Sequence, residues 1–265
     1  IILAIMIGGS FLWTMFTKRY MQSRLTGTTD FTQVKKKVFS KVVQYISPQF
    51  QYFENGHIGI AEFIDSLLFK FERYTLKGGD QIVGHYNGIP FQSCNLMVTF
   101  RPNMRNEKEG DDVVFYGNFF VARSPKTFEH PIVVRPVKGF FSDFNDNAIS
   151  TYLNYGGERI RLEDPEFEKQ FEVYCDDQIT ARYVLTPAFM QRLKKLNERH
   201  KGQVYFGINK NNIVIATNEG NSLMTVGSSP AAMLFQKIDL PMVESVYREL
   251  VEQLQMIDTL KLVDN

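Results

Sequence analysis

The strand predicted over residues 113–121 is apolar on both faces, and this restricts the folds that are open to the chain. The residues of its two faces alternate along the sequence: Val113, Phe115, Gly117, Phe119 and Val121 on one face, and Val114, Tyr116 and Phe120 on the other. Successive side chains of a strand point to opposite sides, so both sides of this strand need a cover of sheet or helix.

A second strong signal is the dipeptide Asn87-Gly88, which separates two β-rich segments at residues 82–86 and 89–100. Asn-Gly favours a tight hairpin because both residues tolerate a positive φ. Pro90 has no N–H to donate, so the second strand should lie at an edge near the turn.

Further turns are predicted in the second half of the sheet. Asn209–Asn212 separates two apolar segments, and asparagine tolerates the left-handed backbone of a tight turn. Ser124–Pro131 is predicted to be a loop, followed by a short strand over Ile132–Val137.

The stretch Arg161–Leu196 combines turn, strand and helix signals. Residues 171–175 alternate apolar and polar side chains, which predicts a half-buried strand, and the alternation in residues 181–185 predicts a second one. Thr186-Pro187 then begins a helix, because Thr caps free N–H groups and Pro suits the first helical turn.

Apolar stripes at helical spacing predict three further helices, over Asp30–Ile46, over Ile60–Phe69, and after Pro241. Tyr45 and Ile64 belong to the stripes that should face the core. The predicted fold class is α+β: antiparallel hairpins form a curved sheet or partly open barrel with packed helices, preceded by an N-terminal transmembrane helix.

The transmembrane helix is expected at residues 1–20, because residues 1–17 carry no charge. We interpret it as the C-terminal part of a truncated anchor; the alternative is a signal peptide. A juxtamembrane helical segment (21–75) and a cytoplasmic α+β domain (76–265) should follow. Basic residues after the helix favour the cytoplasmic side of the inner (cytoplasmic) membrane.

Basic residues close to this anchor are candidates for contact with anionic lipid head groups. They are Lys18, Arg19, Arg24, Lys35, Lys36 and Lys37. The alternative interpretation of the lysine run is an ordinary solvated helix face.

The 265-residue chain has a formal net charge of +1, which gives no overall basic bias toward nucleic acid. Its two cysteines, Cys94 and Cys175, are expected to be reduced core thiols. The four histidines and two cysteines lack metal-ligand spacing, and no nucleophile or phosphate-loop motif occurs. We therefore expect no catalytic residue, cofactor or metal site.

One acidic group needs a separate interpretation. Its members are Glu163, Asp164, Asp176 and Asp177. Convergent carboxylates could serve a hydrolase or bind a divalent ion, but these acids lie at the two ends of a predicted strand. Turn and capping chemistry is the alternative, and the strand length favours it.

Three blocks of sequence resemble a bacterial family known only as domain of unknown function 3137. The blocks are Gly78–Leu96, Val114–Pro136 and Arg161–Leu193, of which the third is the most specific. The resemblance covers most of residues 60–262. It implies a membrane protein with N-terminal spanning helices, often a pair, before a soluble domain, and it supplies no catalytic residue.

These observations favour a membrane-anchored cytoplasmic domain that scaffolds or regulates a membrane protein complex. Its expected partners are the lipid bilayer and another membrane protein or a second copy of the chain. The alternatives are a lipid or small-ligand binding module that uses the sheet groove, and a hydrolase that uses the acidic turns.

Overall fold

A computed structural model describes most of the chain after the N-terminal segment. The described residues are 33, 35–69, 74–100, 112–137, 157–218 and 240–259. The predicted transmembrane helix, Lys18, Arg19, Arg24 and the helix start at Asp30 all lie outside these ranges. Among the helices within them, none combines the length and hydrophobicity that a membrane span requires.

The sheet is open and antiparallel, with strand order β1-β2-β3-β4-β6-β5 and β7 paired with β4. Its strands are β1 (Gln51–Phe53), β2 (Tyr74–Tyr86), β3 (Ile89–Phe100), β4 (Asp112–Pro136), β5 (Glu158–Ile160), β6 (Phe171–Cys175) and β7 (Val204–Asn218). The prediction of a mixed α+β fold around an antiparallel sheet is confirmed.

Helices connect and cover these strands. They are α1 (35–46), α2 (Ile60–Asp65), α3 (Pro165–Glu168), α4 (Gln178–Val184), α5 (Pro187–Arg199) and α6 (Leu240–Thr259). The helix start at Thr186 is confirmed, since its side chain accepts a hydrogen bond from the Phe189 N–H at 3.3 Å.

The β4 strand separates two hydrophobic cores, as its two apolar faces predict. Phe120 belongs to a core shared with α1, α5 and α6, and its side chain is fully buried. Phe119 points to the other face, where Phe63 of α2 lies 5.3 Å away between ring centroids. Residues 35–69 thus pack on both faces of the sheet. The division of the chain into a juxtamembrane segment (21–75) and a cytoplasmic domain (76–265) stays a prediction.

The hairpin at Asn87-Gly88 is confirmed. Both residues have positive φ, 50° and 79°, as the tight turn requires. Pro90 pairs only with His85 of β2, because pairing between β3 and β4 begins one residue later, at Phe91. The missing N–H of Pro90 therefore costs no ladder hydrogen bond, and the predicted edge position is correct.

The predicted turns in β4 and β7 are wrong, because each segment forms one continuous strand. Phe128 of β4 pairs with Lys210 of β7, inside the predicted loop and the predicted hairpin turn. Register shifts on either side of Phe128 absorb the extra residues of β4, and Lys210 takes a φ of 55°. The turn-forming residues thus mark an irregular part of a long ladder rather than its end.

The predicted second strand over 181–185 is also wrong, because these residues form α4. Asp177 caps the helix by accepting hydrogen bonds from the N–H groups of Ile179 and Thr180. Ala181 and Val184, three residues apart, are buried, whereas Tyr183 is 64% exposed. Burial therefore follows the helical period and not the alternation of a strand.

Two predicted core positions on the first helices are exposed. Tyr45 of α1 is 82% exposed, and the fully buried residues of that helix are Phe39 and Val43. The second predicted helix ends early, at Asp65, and Leu67 then takes a φ of 56°. Ile64 is 42% exposed and lies on the same side of the helix as Ile60, which is 46% exposed.

Candidate functional site

Of the two acidic candidates that precede β6 in the sequence, Asp164 caps α3 and also forms an ion pair with Lys194 of α5. Asp164 caps α3, accepting hydrogen bonds from Glu166 N–H at 2.9 Å and Phe167 N–H at 3.0 Å. The ammonium of Lys194 donates to the same carboxylate at 2.8 Å. The Lys194 hydrogen bond, aided by these N–H groups, lowers the pKa of Asp164. Glu163, its neighbour, is exposed.

The two acidic candidates that follow β6 in the sequence, Asp176 and Asp177, have separate partners. Asp177 accepts from both the N–H and the hydroxyl of Thr180, at 2.8 and 2.6 Å, and these bonds lower its pKa. Asp176 lies 2.9 Å from Nδ1 of His130. Within the described residues, no three His, Cys, Asp or Glu side chains are grouped so that they could hold a metal ion.

The most deeply buried charges lie around Asp80, which the sequence did not single out. Asp80 is 4% exposed, and its carboxylate lies 2.8 Å from Nζ of Lys35. The hydroxyl of Tyr52 donates a hydrogen bond to the same carboxylate. Burial, followed by the charge of Asp80, raises the pKa of Tyr52 far above its usual range. This cluster ties α1, β1 and β2 together.

The backbone around Asp80 explains why two glycines precede it. Asp80 has a φ of 57°, and its N–H donates to the Glu54 carbonyl at 2.8 Å. A Cβ atom on Gly78 would lie 2.6 Å from the Asn95 carbonyl oxygen, and one on Gly79 would lie 2.8 Å from that of Glu54. The pair Gly78-Gly79 is therefore the sequence feature from which this close approach of the backbone could have been predicted.

The lysine run on α1 divides between the interior and the surface. Lys35 points into the Asp80 cluster and is 8% exposed, so the structure removes it from the candidate lipid-facing residues. Lys36 and Lys37 are exposed, as is Lys41 one turn later. Residues 37, 41 and 45 follow each other at four-residue spacing, so Lys37, Lys41 and Tyr45 form one exposed row, here called the α1 stripe.

Two helices beside α1 are fixed firmly to the sheet. Gln253 of α6 is 1% exposed, and its side-chain amide donates to Oδ1 of Asn118 on β4 at 2.8 Å. In α5, Leu193 and Leu196 belong to the same core as α1 and α6. The rings of Tyr45 and Tyr247 lie 6.4 Å apart between centroids, which brings the end of α1 against α6.

A groove of about 480 Å³ lies between α5 and α6, and we call it the α5–α6 groove. Three basic side chains of α5 line it, Arg192, Lys195 and Arg199. Glu252 of α6 also lines the groove and forms an ion pair with Arg199. Sequence analysis missed this site because α5 and α6 are far apart in the chain.

Comparison with known families matches residues 113–262 to a family described as a protein of unknown function, DUF3137. The chain belongs to the DUF3137 family. The matched range includes two of the three resembling blocks, Val114–Pro136 and Arg161–Leu193, and the resemblance is therefore confirmed. It also includes α5 and α6, so the α5–α6 groove lies within the DUF3137 region.

Other comparisons add little to the family assignment. No curated protein matches this DUF3137 chain. One similar solved structure is the crystal structure of the mycobacterial trehalose monomycolate transport factor A, TtfA, with 9% sequence identity and a TM-score of 0.39. The similarity covers 87% of this chain and 98% of the other. A TM-score this low does not establish a common fold.

Proposed function

We propose that this DUF3137 chain is a non-catalytic binding domain held at the cytoplasmic face of the inner membrane, where it scaffolds or regulates a membrane protein complex. The observation that carries this proposal is the α1 stripe, which presents two lysines and a tyrosine to solvent. The partner of the domain would be another membrane protein or a second copy of the chain, and nucleic acid is not expected.

The chemistry of the α1 stripe suits the surface of an anionic bilayer. A lysine near such a surface contributes roughly 1 kcal/mol of attraction, so Lys37 and Lys41 would act together with Lys36. Tyrosine is enriched at membrane interfaces because its ring is amphipathic, which gives the exposed Tyr45 a role there. Lys18 and Arg19, at the end of the predicted transmembrane helix, and Arg24, just after it, would add to the same attraction.

The attachment of α1 to the domain supports this role. Phe39 and Val43 are fully buried, and Lys35 pairs with Asp80 of β2, so α1 has a fixed orientation on the sheet. A domain that meets the bilayer through α1 would therefore be oriented as a whole. This is what a scaffold needs in order to present its remaining surface to a membrane partner.

The acidic residues argue against the hydrolase alternative. Asp164 and Asp177 cap helices, and Asp176 pairs with His130, so these carboxylates already have structural partners. They also lie on opposite sides of β6 in the sequence. A general acid and base would have to act on one substrate from a common site.

Lipid contact can be tested with a fluorophore on the exposed residue Gln44, one turn after Lys41. The full chain with Gln44→Cys is labelled and reconstituted in nanodiscs that contain a lipid-borne quencher. We expect stronger quenching in phosphatidylglycerol than in phosphatidylcholine, and loss of that difference in Lys37→Glu/Lys41→Glu. A label at Ile179→Cys of α4, 80% exposed in the parent chain, is the control and should show a smaller difference.

Quenching at residue 44 that is independent of lipid charge, or unchanged in the double variant, would refute the lipid contact. The partner is tested separately, by gentle extraction of the full-length protein from its native membrane followed by light scattering and mass spectrometry. A stoichiometric membrane protein would support the scaffold, whereas a monomer would argue against it and favour a ligand-binding function.

A further inference from the structure

The α5–α6 groove has an excess of positive charge that the described protein does not neutralise. Arg192, Lys195 and Arg199 lie at spacings of three and four residues, which places them on one face of α5. Glu252 pairs with Arg199. Neither Arg192 nor Lys195 has an ion-pair partner in the part of the chain that the structure describes.

The size and lining of the α5–α6 groove suit a small molecule rather than a single ion. Its volume of about 480 Å³ falls within the ~300–1,000 Å³ that is usual for ligand sites. Ala188, Leu196 and Met256 give part of the lining an apolar character. A ligand with one strongly anionic end and a less polar remainder would match both parts.

The chemistry of the cations points to phosphate. An arginine guanidinium binds phosphate through two parallel N–H bonds, and lysine contributes a point charge. A phosphate monoester carries roughly −1.5 to −2 charge at neutral pH, which two cations neutralise, whereas a single carboxylate would need only one. Arg192 and Lys195 are both exposed, and together they carry the charge that balances a phosphate monoester.

The walls of the α5–α6 groove are positioned before any ligand enters. Thr186 caps α5, and Leu193 and Leu196 attach the helix to the core. Gln253, beside Glu252, fixes α6 to Asn118 of the sheet. A ligand would therefore find its binding groups already arranged, which reduces the entropic cost of binding.

We propose that the α5–α6 groove is a binding site for a phosphate monoester, held by Arg192 and Lys195. The ligand is either a soluble phosphorylated molecule or the head group of a phosphomonoester lipid, since both present the same group to the two cations. This site is separate from the α1 stripe and does not depend on contact between that stripe and the bilayer.

Calorimetric titration of the full chain, in phosphatidylcholine nanodiscs, tests the site with two probes. Glycerol 3-phosphate represents a soluble ligand, and dihexanoyl phosphatidic acid represents a lipid, with dihexanoyl phosphatidylcholine as its neutral counterpart. We expect Arg192→Gln/Lys195→Gln to weaken binding at least about tenfold, because the loss of even one charge-assisted hydrogen bond is enough for a change of that size.

A matched control removes the same charges elsewhere. Arg182→Gln/Lys169→Gln also neutralises one arginine and one lysine, both exposed and neither among the residues that line the groove. It should leave the affinity within about twofold, since neither residue lines the groove and salt screens exposed charges that do not contact the ligand. Thermal unfolding of both double variants shows whether they are folded.

The outcomes separate the two sources of ligand. Binding of glycerol 3-phosphate that is lost in the groove variant supports a soluble ligand, and binding of phosphatidic acid alone, lost in the same variant, supports a lipid. Failure of both probes to bind overturns the proposal. So does binding that the groove variant retains, or that the control variant weakens equally.

Discussion

The ammonium of Lys35 lies 2.8 Å from the carboxylate of Asp80, and their side chains are only 10% and 5% exposed. The pair joins α1 to the irregular part of β2. A buried ion pair adds little net stability compared with apolar residues, but removal of one partner leaves a charge without compensation. Its main consequence is that α1 has one defined position.

Asp80→Asn should destabilise the protein by about 3–5 kcal/mol, because the buried Lys35 would lose the carboxylate with which it pairs. Asparagine tolerates the positive φ of this position, so the change adds no backbone strain. Urea unfolding of the full chain measures the loss. The double variant Lys35→Met/Asp80→Asn should recover much of the lost unfolding free energy. If Asp80→Asn alone is as stable as the parent protein, the pair is not buried in solution.

Gly78→Ala should destabilise the fold by about 1–3 kcal/mol, because its methyl group would overlap neighbouring atoms. The new Cβ would lie 2.6 Å from the Asn95 carbonyl oxygen and 2.7 Å from Cβ of His57. Gly59→Ala is the matched control, since no atom lies within 4 Å of its Cβ. Equal unfolding midpoints for the two variants would contradict the close approach.

The stability that Asp164 contributes should depend on pH. Its pKa is lowered in the folded state, chiefly by the hydrogen bond from Lys194, so folding is favoured above the ordinary pKa of about 4 and this gain is lost as pH falls through the folded value. Lys194→Met should therefore reduce stability more at about pH 7 than at about pH 2. Urea unfolding at both values measures this difference, with Lys195→Met as control. A loss that is the same at both pH values would argue against the ion pair.

Cys94 should not react with thiol reagents in the folded protein. Its side chain is fully buried, and burial raises its pKa to about 12, so little of the reactive thiolate forms at neutral pH. Burial also raises the pKa of Cys175. Mass spectrometry after treatment with maleimide should find both thiols unmodified until denaturant is added, while Gln44→Cys is labelled at once. Rapid labelling of Cys94 would mean that the core around β3 opens readily.

Local sequence patterns predicted the strands of the sheet better than they predicted which side chains are exposed. The apolar faces of residues 113–121 and the Asn87-Gly88 turn each depend on neighbouring residues, and both were predicted correctly. Residues 181–185 were not, because an alternation over five residues is compatible with one turn and a half of helix. In the structure Asp177 caps α4. In the sequence, however, the same residue was equally compatible with the end of a strand.

The candidate sites depend on contacts between distant parts of the chain. Lys35 belongs to a lysine run that favoured a solvated face, and its partner Asp80 lies 45 residues later. The α5–α6 groove exists only because α5 and α6, which precede and follow β7 in the sequence, pack against each other. The sequence showed the cations of α5 but gave no information about which surface would face them.

The strand β4 has a consequence for how this chain can be divided. Its first half pairs with β3 and its second half with β6, and its side chains contribute to both cores. The DUF3137 match begins at residue 113, so it includes β4 but leaves out β1, β2 and β3. A fragment cut at that boundary would bare one long edge of β4 and open both cores, so the matched range alone is not a complete folding unit.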